Sequence, residues 1–238
     1  MQGISVEYDR RAIYLPDEQT LVLADLHVGR DATSEVELPM GEREDLRDRL
    51  KSLLEAHAPK QVVFAGDILH SFGSVPYGVP RTVELLIDTV NATGATLSLV
   101  VGNHDTMLDS FVEHPVTSHH RVDDAVVIHH GHVLPDGTAR DGNLYIIGHE
   151  HPAITIEGVR HPCVLSCPDQ HEGRSLLVLP AFNRFARGTE VNGLTAADSM
   201  SPLLTDASVC RPVVRTEDET LRFPPLGELR SELSERRR

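Results

Sequence analysis

The chain contains five short segments rich in potential metal ligands, and each follows a stretch that is predicted to be a buried β-strand. In chain order they are Asp25-Leu26-His27, Gly66-Asp67, Gly102-Asn103-His104-Asp105, His130-Gly131-His132 and Gly148-His149-Glu150-His151. Their imidazole, carboxylate and carboxamide groups suit manganese, iron or zinc better than calcium. An aspartate that bridges two cations about 3.5–4 Å apart is the usual centre of a binuclear site. Together the five segments predict one two-metal site that hydrolyses phosphoesters.

The segment Gly102-Asn103-His104-Asp105 is more specific than the two that precede it. Asn103 offers a neutral carbonyl oxygen to a cation, while His104 lies beside it and is free to carry a proton. Asp105 would hold the imidazole of His104 in one tautomer, or would cap a helix at its N-terminus. Taken alone, Asp25 and His27 are more simply a turn aspartate and a surface histidine, and they gain meaning from the other segments.

Histidine is the strongest compositional signal, because the chain has 14 and several cluster in the last two segments. His149 and His151 alternate like neighbours on one face of a strand, so both are predicted to point into the site. Among His129, His130 and His132, only one needs to be a metal ligand. We predict that His130 binds metal and that His132 faces the substrate. Five other histidines are predicted to lie in the core or on the surface, namely His57, His114, His119, His120 and His171.

Alternating strands and helices must position the first three segments. Apolar strands are predicted at 20–24, 61–65 and 96–101, and amphipathic helices at about 41–57 and 81–93. This alternation is the βαβ pattern, in which sites gather outside the carboxyl ends of the strands. Two strands, 4–8 and 12–15, open the chain, and the second half has short strands with little helix between them. We therefore predict an α/β fold in which two strand-rich layers face each other with helices outside.

The composition is strongly acidic, with 36 Asp and Glu against 22 basic residues and a formal net charge of -14. Lys51 and Lys60 are the only lysines in the sequence. Such a surface is typical of an ordinary acidic protein, or of one adapted to high intracellular salt, where screening limits self-repulsion. A protein that binds nucleic acid through phosphates usually has a basic face. No linear basic run indicates one here, although the scattered arginines could converge in three dimensions.

The remaining segments give weaker predictions. No signal-like segment opens the chain and its apolar runs are too short for a membrane span, so a cytoplasmic location without membrane contact is expected. Three cysteines do not indicate a disulfide framework. A zinc site built from His161, Cys163, Cys167 and His171 fits no common spacing, and Cys163 is better explained as core. Residues 216–238 are predicted to form a charged peripheral tail, with a strand or short helix and a frayed end.

The ordered set of segments resembles the calcineurin-like metallophosphoesterases and fills every motif position between Asp25 and His151. The resemblance implies a four-layer α/β/β/α sandwich of two mixed β-sheets flanked by helices, within residues 1–215. It also implies two divalent metal ions, for which manganese is our prediction, with iron or zinc as alternatives. The first metal would be bound by Asp25, His27, Asp67 and His151, and the second by Asp67, Asn103, His130 and His149. His104 would be the catalytic histidine, supported by Asp105.

Three longer stretches resemble a prokaryotic branch related to the SbcD nuclease, which includes the ligase-associated DNA-repair endonuclease PdeM and archaeal relatives. They are Ala24-Asp25-Leu26-His27-Val28-Gly29, Gly66-Asp67-Ile68-Leu69-His70 and Leu179-Pro180-Ala181-Phe182-Asn183. This resemblance covers residues 1–195 and implies a role in DNA processing or repair, with DNA and repair proteins as partners. His70 and His132 are predicted to contact the substrate. Compared with full-length SbcD-type nucleases, the chain is expected to lack their additional DNA-capping region.

The predicted reaction is hydrolysis of a phosphodiester by a hydroxide that bridges the two metals and attacks phosphorus in line. His104 would protonate the leaving alkoxide or stabilise its charge. Two other functions stay open. A phosphatase or phosphodiesterase acting on a nucleotide or other small molecule would use the same site, and the acidic surface favours it. A non-catalytic scaffold on the same fold should have lost ligands, and none is missing from the five segments.

Overall fold

The computed structural model describes residues 4–30 and 41–235, with side chains up to residue 232. The strands within these ranges are β1 (Glu7–Asp9), β2 (Ala12–Leu15), β3 (Thr20–Leu23), β4 (Gln61–Ala65), β5 (Thr96–Val100), β6 (Val116–Thr117), β7 (His119–Arg121), β8 (Val126–His129), β9 (Leu144–Ile147), β10 (Pro152–Ile156), β11 (Val159–Pro162), β12 (Val164–Cys167), β13 (Ser175–Val178), β14 (Thr189–Glu190), β15 (Arg211–Arg215) and β16 (Thr220–Arg222). The α-helices are α1 (Glu42–His57), α2 (Val79–Asn91) and α3 (Leu226–Glu235). None of these helices is long and apolar enough to cross a membrane.

The first sheet follows the predicted βαβ order. Its strand order is β1-β2-β3-β4-β5-β6, and β3 to β6 run parallel while β1 and β2 are antiparallel to their neighbours. Leu46, Leu50 and Leu53 of α1 share a core with Val83 and Leu86 of α2 on one face of this sheet. The second sheet covers the other face, so all four residues of β3 are buried. A strand covered on both faces explains the continuous apolar run that predicted it.

The second sheet carries the other half of the ligand-bearing segments. Its strand order is β16-β15-β12-β13-β9-β8-β7, with β8, β9 and β13 parallel at its centre. A separate three-stranded sheet has the order β11-β10-β14. The parallel centre of the second sheet aligns the carboxyl ends of β8 and β9, and this alignment brings the segments that follow them to one edge.

Three hydrophobic cores separate the four layers. The core between the sheets includes Val22, Val63, Ile128 and Ile146. The outer face of the second sheet packs on residues between 191 and 210 and on α3, where Leu226 is fully buried. The four-layer sandwich that the resemblance implied is therefore confirmed. Its second outer layer is less helical than expected, because α3 is the only α-helix described there and the rest is loop and 3₁₀ turn.

The ends of two elements differ from the sequence-based expectation. α2 begins at Val79 rather than 81, because Gly78 adopts a left-handed conformation with φ of 91° and Pro80 fits a first helical turn. After residue 215 the chain stays in the fold, since β16 pairs with β15 and α3 adds Leu226 to the core. The domain boundary at 215 stays a prediction, and 236–238 lie outside the described residues.

Cys167 and Cys210 form a disulfide, so the expectation that the cysteines form none was wrong. β12 and β15 pair antiparallel with Ser166 opposite Arg211, and this register brings the two cysteines together across 43 residues of sequence. The disulfide also removes Cys167 from the alternative zinc site. Cys163 is free and buried in the core, as predicted.

Candidate metal centre and active site

The five ligand-bearing segments meet at one edge of the sandwich. The first ligand candidate of each segment comes just after β3, β4, β5, β8 or β9, and these are Asp25, Asp67, Asn103, His130 and His149. Contacts then cross between the two sheets. His130 Nε2 lies 3.2 Å from Asp67 Oδ2, and His151 Nε2 lies 2.9 Å from Asp25 Oδ1.

The side chains form two neighbouring clusters. Asp25, His27 and His151 each place a ligand atom within 4.8 Å of the other two, and Asp67, His130 and His149 do the same. His130 Nδ1 lies 3.9 Å from Asp25 Oδ1 and so links the clusters. His130 Nε2 lies 3.1 Å from Asn103 Oδ1, which brings the amide oxygen to the second cluster. The structure thus brings all seven predicted ligands together, and their binding of metal stays a prediction.

The backbone at five of the seven predicted ligands is left-handed. The φ angles are 57° at Asp25, 42° at His27, 49° at Asp67, 69° at His149 and 47° at His151. Positive φ is uncommon outside glycine, although aspartate and histidine tolerate it better than most residues. Such strain persists where the surrounding structure enforces it, and it concentrates at functional sites. His149 and His151 therefore do not alternate on a strand as expected. They lie in the loop between β9 and β10, where strained backbone turns both imidazoles toward the site.

Two glycines make room for the carboxylates. A Cβ atom at Gly102 would lie 2.1 Å from Asp67 Oδ1, and one at Gly148 would lie 2.4 Å from Asp25 Oδ2. Real Cβ atoms do not approach other heavy atoms this closely, so a side chain at either position would displace a carboxylate. The glycines of these two segments are thus part of the site's geometry.

Asp25 and Asp67 are buried among imidazoles and keep low pKa values. Burial by itself would raise the pKa of Asp25, but the neighbouring His151, His130 and His27 lower it on balance. For Asp67, burial is outweighed by the hydrogen bond and charge of His130 and by the backbone N–H of His104, which donates to Oδ1 at 2.9 Å, so its pKa is also lowered. Both are therefore carboxylates at neutral pH, the form that binds a cation.

The histidines divide into two charge states. Burial lowers the pKa of His27 and His149 to about 4, so both are neutral at pH 7. Burial opposes charge on His130 as well, but the hydrogen bond to Asp67 and the charge of Asp25 raise its pKa to about 9. For His151, Asp25 likewise outweighs burial and raises the pKa. Asp25 thus favours a proton on His151, and a proton on His130 offsets the charge of the buried carboxylates.

The donor set fits two divalent cations. Two carboxylates, one amide oxygen and four imidazoles, without thiolate, suit manganese, iron or zinc. The Nε2 atoms of His27 and His151 lie 3.2 Å apart, and Asp25 Oδ1 approaches the second of them at 2.9 Å. Three donors therefore converge on one point, which is an arrangement that a shared cation satisfies better than a shared proton.

His104 lies beside the second cluster with one ring nitrogen fixed. Its Nδ1 is 2.6 Å from the backbone oxygen of His70, and because a carbonyl oxygen only accepts, Nδ1 carries a hydrogen and donates it. Nε2 is then the nitrogen that can take up or release a proton, and it lies 3.7 Å from Asp67 Oδ2. The side chain is 18% exposed, so a substrate in the site can reach the ring.

Asp105 does not act on His104 in the way the sequence suggested. Its Oδ1 accepts the backbone N–H of Leu69 at 2.8 Å, and its Oδ2 accepts that of Gly102 at 2.8 Å. Both oxygens are thus committed to backbone, and the imidazole of His104 is held by His70 instead. Burial raises the pKa of Asp105. Asp105 therefore positions His104 indirectly, by tying the loop after β4 to the loop after β5.

His70 and His132 border the centre on two sides. The ring of His70 is nearly parallel to that of His104 at 6.0 Å, and the ring of His132 lies 5.3 Å from that of His130. Burial lowers the pKa of both histidines. The Nδ1 atom of each is buried without a hydrogen-bond partner among the described residues. Their position suits substrate contact, which stays a prediction.

Comparison with known proteins agrees with this geometry. Residues 19–132 match the model of the family described as calcineurin-like phosphoesterase. The match includes the first four ligand-bearing segments, ends before the fifth and covers a little under half of the chain. The resemblance to the calcineurin-like phosphoesterases is confirmed, and the chain is a metal-dependent phosphoesterase.

Two solved structures are similar to this phosphoesterase. The crystal structure of the Pseudomonas putida nuclease MPE is 24% identical, covers 93% of this chain and 96% of that chain, and superposes with a TM-score of 0.62. YfcE, a phosphoesterase from E. coli, is 14% identical over 88% of this chain and 94% of its own, with a TM-score of 0.43. No curated protein matches the chain. At 24% identity the likeness to the nuclease shows the fold.

Sequence reasoning missed the residues that hold the loop after β3. Asn183 is fully buried, and its Nδ2 donates to the backbone oxygens of Leu26 at 3.0 Å and His27 at 3.2 Å. It also donates to Glu42 Oε1 at 2.8 Å, while Glu42 Oε2 accepts the backbone N–H of Gly29. Asn183 lies in the stretch whose sequence resembles the SbcD-related branch, and this was the one available signal. Glu42 had none beyond its place in the first turn of a helix.

Glu150, between two ligand histidines, was also missed. It is 1% exposed, and its Oε1 accepts the hydroxyl of Ser199 at 2.5 Å and the backbone N–H of Ser201 at 2.6 Å. The Ser201 hydroxyl in turn donates to the backbone oxygen of Gly131 at 2.6 Å. The phosphoesterase thus ties its last two ligand segments together through the loop at 199–201.

Proposed function

We propose that the chain is a binuclear-metal phosphodiesterase that cleaves DNA during DNA processing or repair. The observation that carries this proposal is the pair of adjoining clusters, each with a carboxylate and two imidazoles, at the open edge beside His104. The first metal would be held by Asp25, His27, Asp67 and His151. The second would be held by Asp67, Asn103, His130 and His149. Asp67 would be the shared ligand, and its lowered pKa keeps it ionised for this purpose.

Manganese is the metal we propose, with iron and zinc as competitors, because the ligands combine nitrogen and oxygen without thiolate. Two bound divalent cations would lower the pKa of a water molecule to supply the nucleophile and would neutralise charge on the phosphoryl oxygens. At pH 7 Asp25 and Asp67 are ionised and His27 and His149 are neutral, and these are the protonation states that bind a metal ion.

His104 would supply the proton that the leaving oxygen needs. Its Nδ1–H is committed to His70 O at 2.6 Å, so the proton that moves is the one on Nε2. Nε2 is directed to the second cluster, at 3.7 Å from Asp67 Oδ2. A positioned general acid contributes roughly 10²–10⁴-fold in rate. We expect His104→Ala to lower the rate by that factor while the metal content stays at the wild-type level.

DNA is favoured as substrate by the surroundings of His104 and by the similar fold of a nuclease. Phe72 is 56% exposed, and its ring lies 3.7 Å from that of His104, where it could stack on a base of a bound strand. The strongly acidic composition favours the second candidate, a nucleotide or another small phosphodiester or phosphomonoester. Repair proteins as partners, a cytoplasmic location and adaptation to high salt belong to the same proposal. The Cys167–Cys210 disulfide is a bond that most cytoplasmic proteins lack.

The test combines metal analysis with a substrate panel. Protein loaded with manganese would be assayed on bis(p-nitrophenyl) phosphate, p-nitrophenyl phosphate, single-stranded DNA, duplex DNA and cyclic nucleotides, at low and at multimolar salt. We expect about two metals per chain and cleavage of the diester and of DNA. His171→Ala, which removes a histidine remote from the clusters, is the control for His104→Ala. The proposal fails if the loaded protein cleaves no diester, or if both variants retain full rate. Cleavage of cyclic nucleotides without DNA would establish the small-molecule candidate.

A further inference from the structure

Arginines scattered along the sequence converge on one pocket outside the metal centre. The pocket has a volume of about 290 Å³, and its lining includes Arg10, Arg11, Arg49, Arg184 and Arg215. Among the residues that the structure describes, Asp9 is the only acidic one in this lining. A neighbouring depression shares Arg11 and Arg184. In a chain with a net charge of -14, this concentration of positive charge needs a physical reason.

The arginine pocket opens on the same edge of the sandwich as the metal centre. β2 is antiparallel to β3, with Ile13 opposite Val22, so the start of β2 lies beside the end of β3 that leads to Asp25. In the second sheet, β12 is antiparallel to β13, and β13 is parallel to β9. The start of β12 therefore lies at the edge that His149 also occupies. Neighbouring strands are about 4.8 Å apart, so β2 and β4 are separated by about 10 Å.

One residue connects the pocket to the metal-binding loop. Arg11 Nη1 donates to the backbone oxygens of Ala181 at 3.2 Å and Asn183 at 3.1 Å. The side chain of Asn183 donates to the backbone oxygen of His27 at 3.2 Å. The segment at 181–183 thus forms a wall with Arg11 on one side and the first metal cluster on the other.

The positive charge in the pocket is only partly compensated. Arg184 Nε lies 3.0 Å from Asp45 Oδ1, and Arg49 Nη1 lies 3.9 Å from Asp45 Oδ2, so two guanidinium groups share one carboxylate. Arg49 also donates to the backbone oxygens of Phe182 and Arg10. Burial, and after it the charge of Arg49, lower the pKa of Arg11 to about 10. Five guanidinium groups around one cavity, with Asp9 and the shared Asp45 as the carboxylates beside them, attract a multivalent anion.

We propose that the arginine pocket binds a phosphate of the substrate strand other than the one that is cleaved. Guanidinium groups bind phosphate oxygens through two parallel hydrogen bonds, and arginine is the residue that favours this geometry. The separation of about 10 Å between β2 and β4 is short enough for one strand to reach both the metal centre and the pocket. The inference rests on the proposed cleavage of DNA, and it explains how an acidic protein would hold a polyanion.

Binding and turnover of a short single strand of DNA test the inference. The variant Arg184→Gln with Arg215→Gln removes two exposed guanidinium groups of the pocket. Its matched control is Arg81→Gln with Arg211→Gln, which makes the same charge change in α2 and at the other end of β15. Each lost phosphate contact lowers the slope of log affinity against log salt by about 0.7. The pocket holds one phosphate, so we expect a slope reduced by about 0.7 and binding about fivefold weaker at roughly 0.1 M salt, with the control at the wild-type value.

Turnover separates this inference from the proposed function. The ratio of kcat/KM for DNA to kcat/KM for bis(p-nitrophenyl) phosphate should fall in the pocket variant and stay unchanged in the control. An unchanged ratio together with an unchanged salt slope overturns the inference and leaves the metal centre as proposed. If the wild type cleaves neither substrate, the proposed function has failed, and fluorescence anisotropy with the labelled strand still decides whether the pocket binds DNA.

A second arm distinguishes the source of the phosphate. Inorganic pyrophosphate at millimolar concentration should compete with the labelled strand for the wild type and have little effect on the pocket variant. If pyrophosphate raises the Tm of the wild type but not of the variant, while both bind the strand equally, the pocket takes a small phosphorylated ligand and the strand proposal is wrong. Circular dichroism of Arg215→Gln alone, at an exposed strand end, checks that the fold is retained.

Discussion

Asp105→Asn tests whether Asp105 acts on the backbone or on the ring of His104. Asp105 is 4% exposed, and its two oxygens accept the backbone N–H groups of Leu69 and Gly102, each at 2.8 Å. Asparagine has one oxygen and one NH₂ group, so one of the two buried N–H groups would face another donor. The substitution therefore changes shape very little but breaks one of the two links between the loops after β4 and β5.

The expected loss of stability follows from that broken link. A hydrogen bond to a charged group contributes about 1.5–3 kcal/mol, and a buried donor left without a partner costs about 1–3 kcal/mol. Burial raises the pKa of Asp105, which means that burying its charge opposes folding, and the neutral side chain recovers part of this cost. We therefore expect a net loss of about 2–3 kcal/mol. For a chain of this length that corresponds to a Tm lower by about 5–10 °C.

Circular dichroism is the suitable assay, because the sequence contains no tryptophan for fluorescence. Asp109→Asn is the matched control, since it makes the same change four residues later on an exposed side chain. The rate on bis(p-nitrophenyl) phosphate should fall together with Tm, because the loop at Leu69 carries the His70 oxygen that holds His104. A variant with wild-type Tm and a reduced rate would refute this reasoning and would assign Asp105 to the imidazole itself.

Three further predictions concern the clusters and the rim of the site. Gly102→Ala would place a Cβ 2.1 Å from Asp67 Oδ1 and should weaken metal affinity, measured by equilibrium dialysis, roughly 10–100-fold. Gly193→Ala is the control, because a Cβ at Gly193 meets open space, and equal affinities in the two variants would contradict the packing argument. His130 has a pKa of about 9 without metal and must be neutral to bind it, so metal affinity should rise with pH up to about 9. Calorimetry of metal binding at pH 7 in two buffers should show roughly one or more protons released per chain, and no release would be inconsistent with a charged His130. Phe72→Ala should raise KM for DNA about tenfold, as expected for a lost stacking contact, with Tyr77→Ala from the same loop as control; equal KM values would exclude stacking.

The sequence predicted the position of the site because parallel strands share an edge. Strands 20–24 and 61–65 were evident from continuous apolar runs, and a helix between two such strands makes them parallel. Asp25 and Asp67 then had to meet at the carboxyl edge. The confirmed resemblance and fold rest on this chain of reasoning, which needs only local patterns and one topological rule.

The contacts of Asp105 and the path at His149 could not be predicted in the same way. The partner of Asp105 is a backbone N–H at Leu69, 36 residues away, and its approach depends on how two loops bend after leaving their strands. His149 and His151 alternate in sequence as strand residues do, but β9 ends at Ile147 and both adopt positive φ. Strain of this kind is set by tertiary contacts and has no signature in local periodicity. The strand register that brings Cys167 to Cys210 also depends on tertiary contacts, so local sequence patterns do not reveal it.

Net charge also conceals where charge acts. The Debye length is about 8 Å at physiological salt and about 3 Å at 1 M. Salt therefore screens the repulsion between most of the acidic surface and a phosphate held in the arginine pocket. Salt screening first weakens the attraction of phosphates to an open basic surface, because those charges act on the phosphates through water. Guanidinium groups that contact phosphate in a partly desolvated cleft lose less of their attraction as salt rises. If the protein works in concentrated salt, a few converging arginines therefore bind a DNA strand more effectively than a broad basic surface does. Weaker DNA binding at roughly 0.1 M salt by the Arg184→Gln, Arg215→Gln variant than by its matched control would favour the pocket over a broad basic surface.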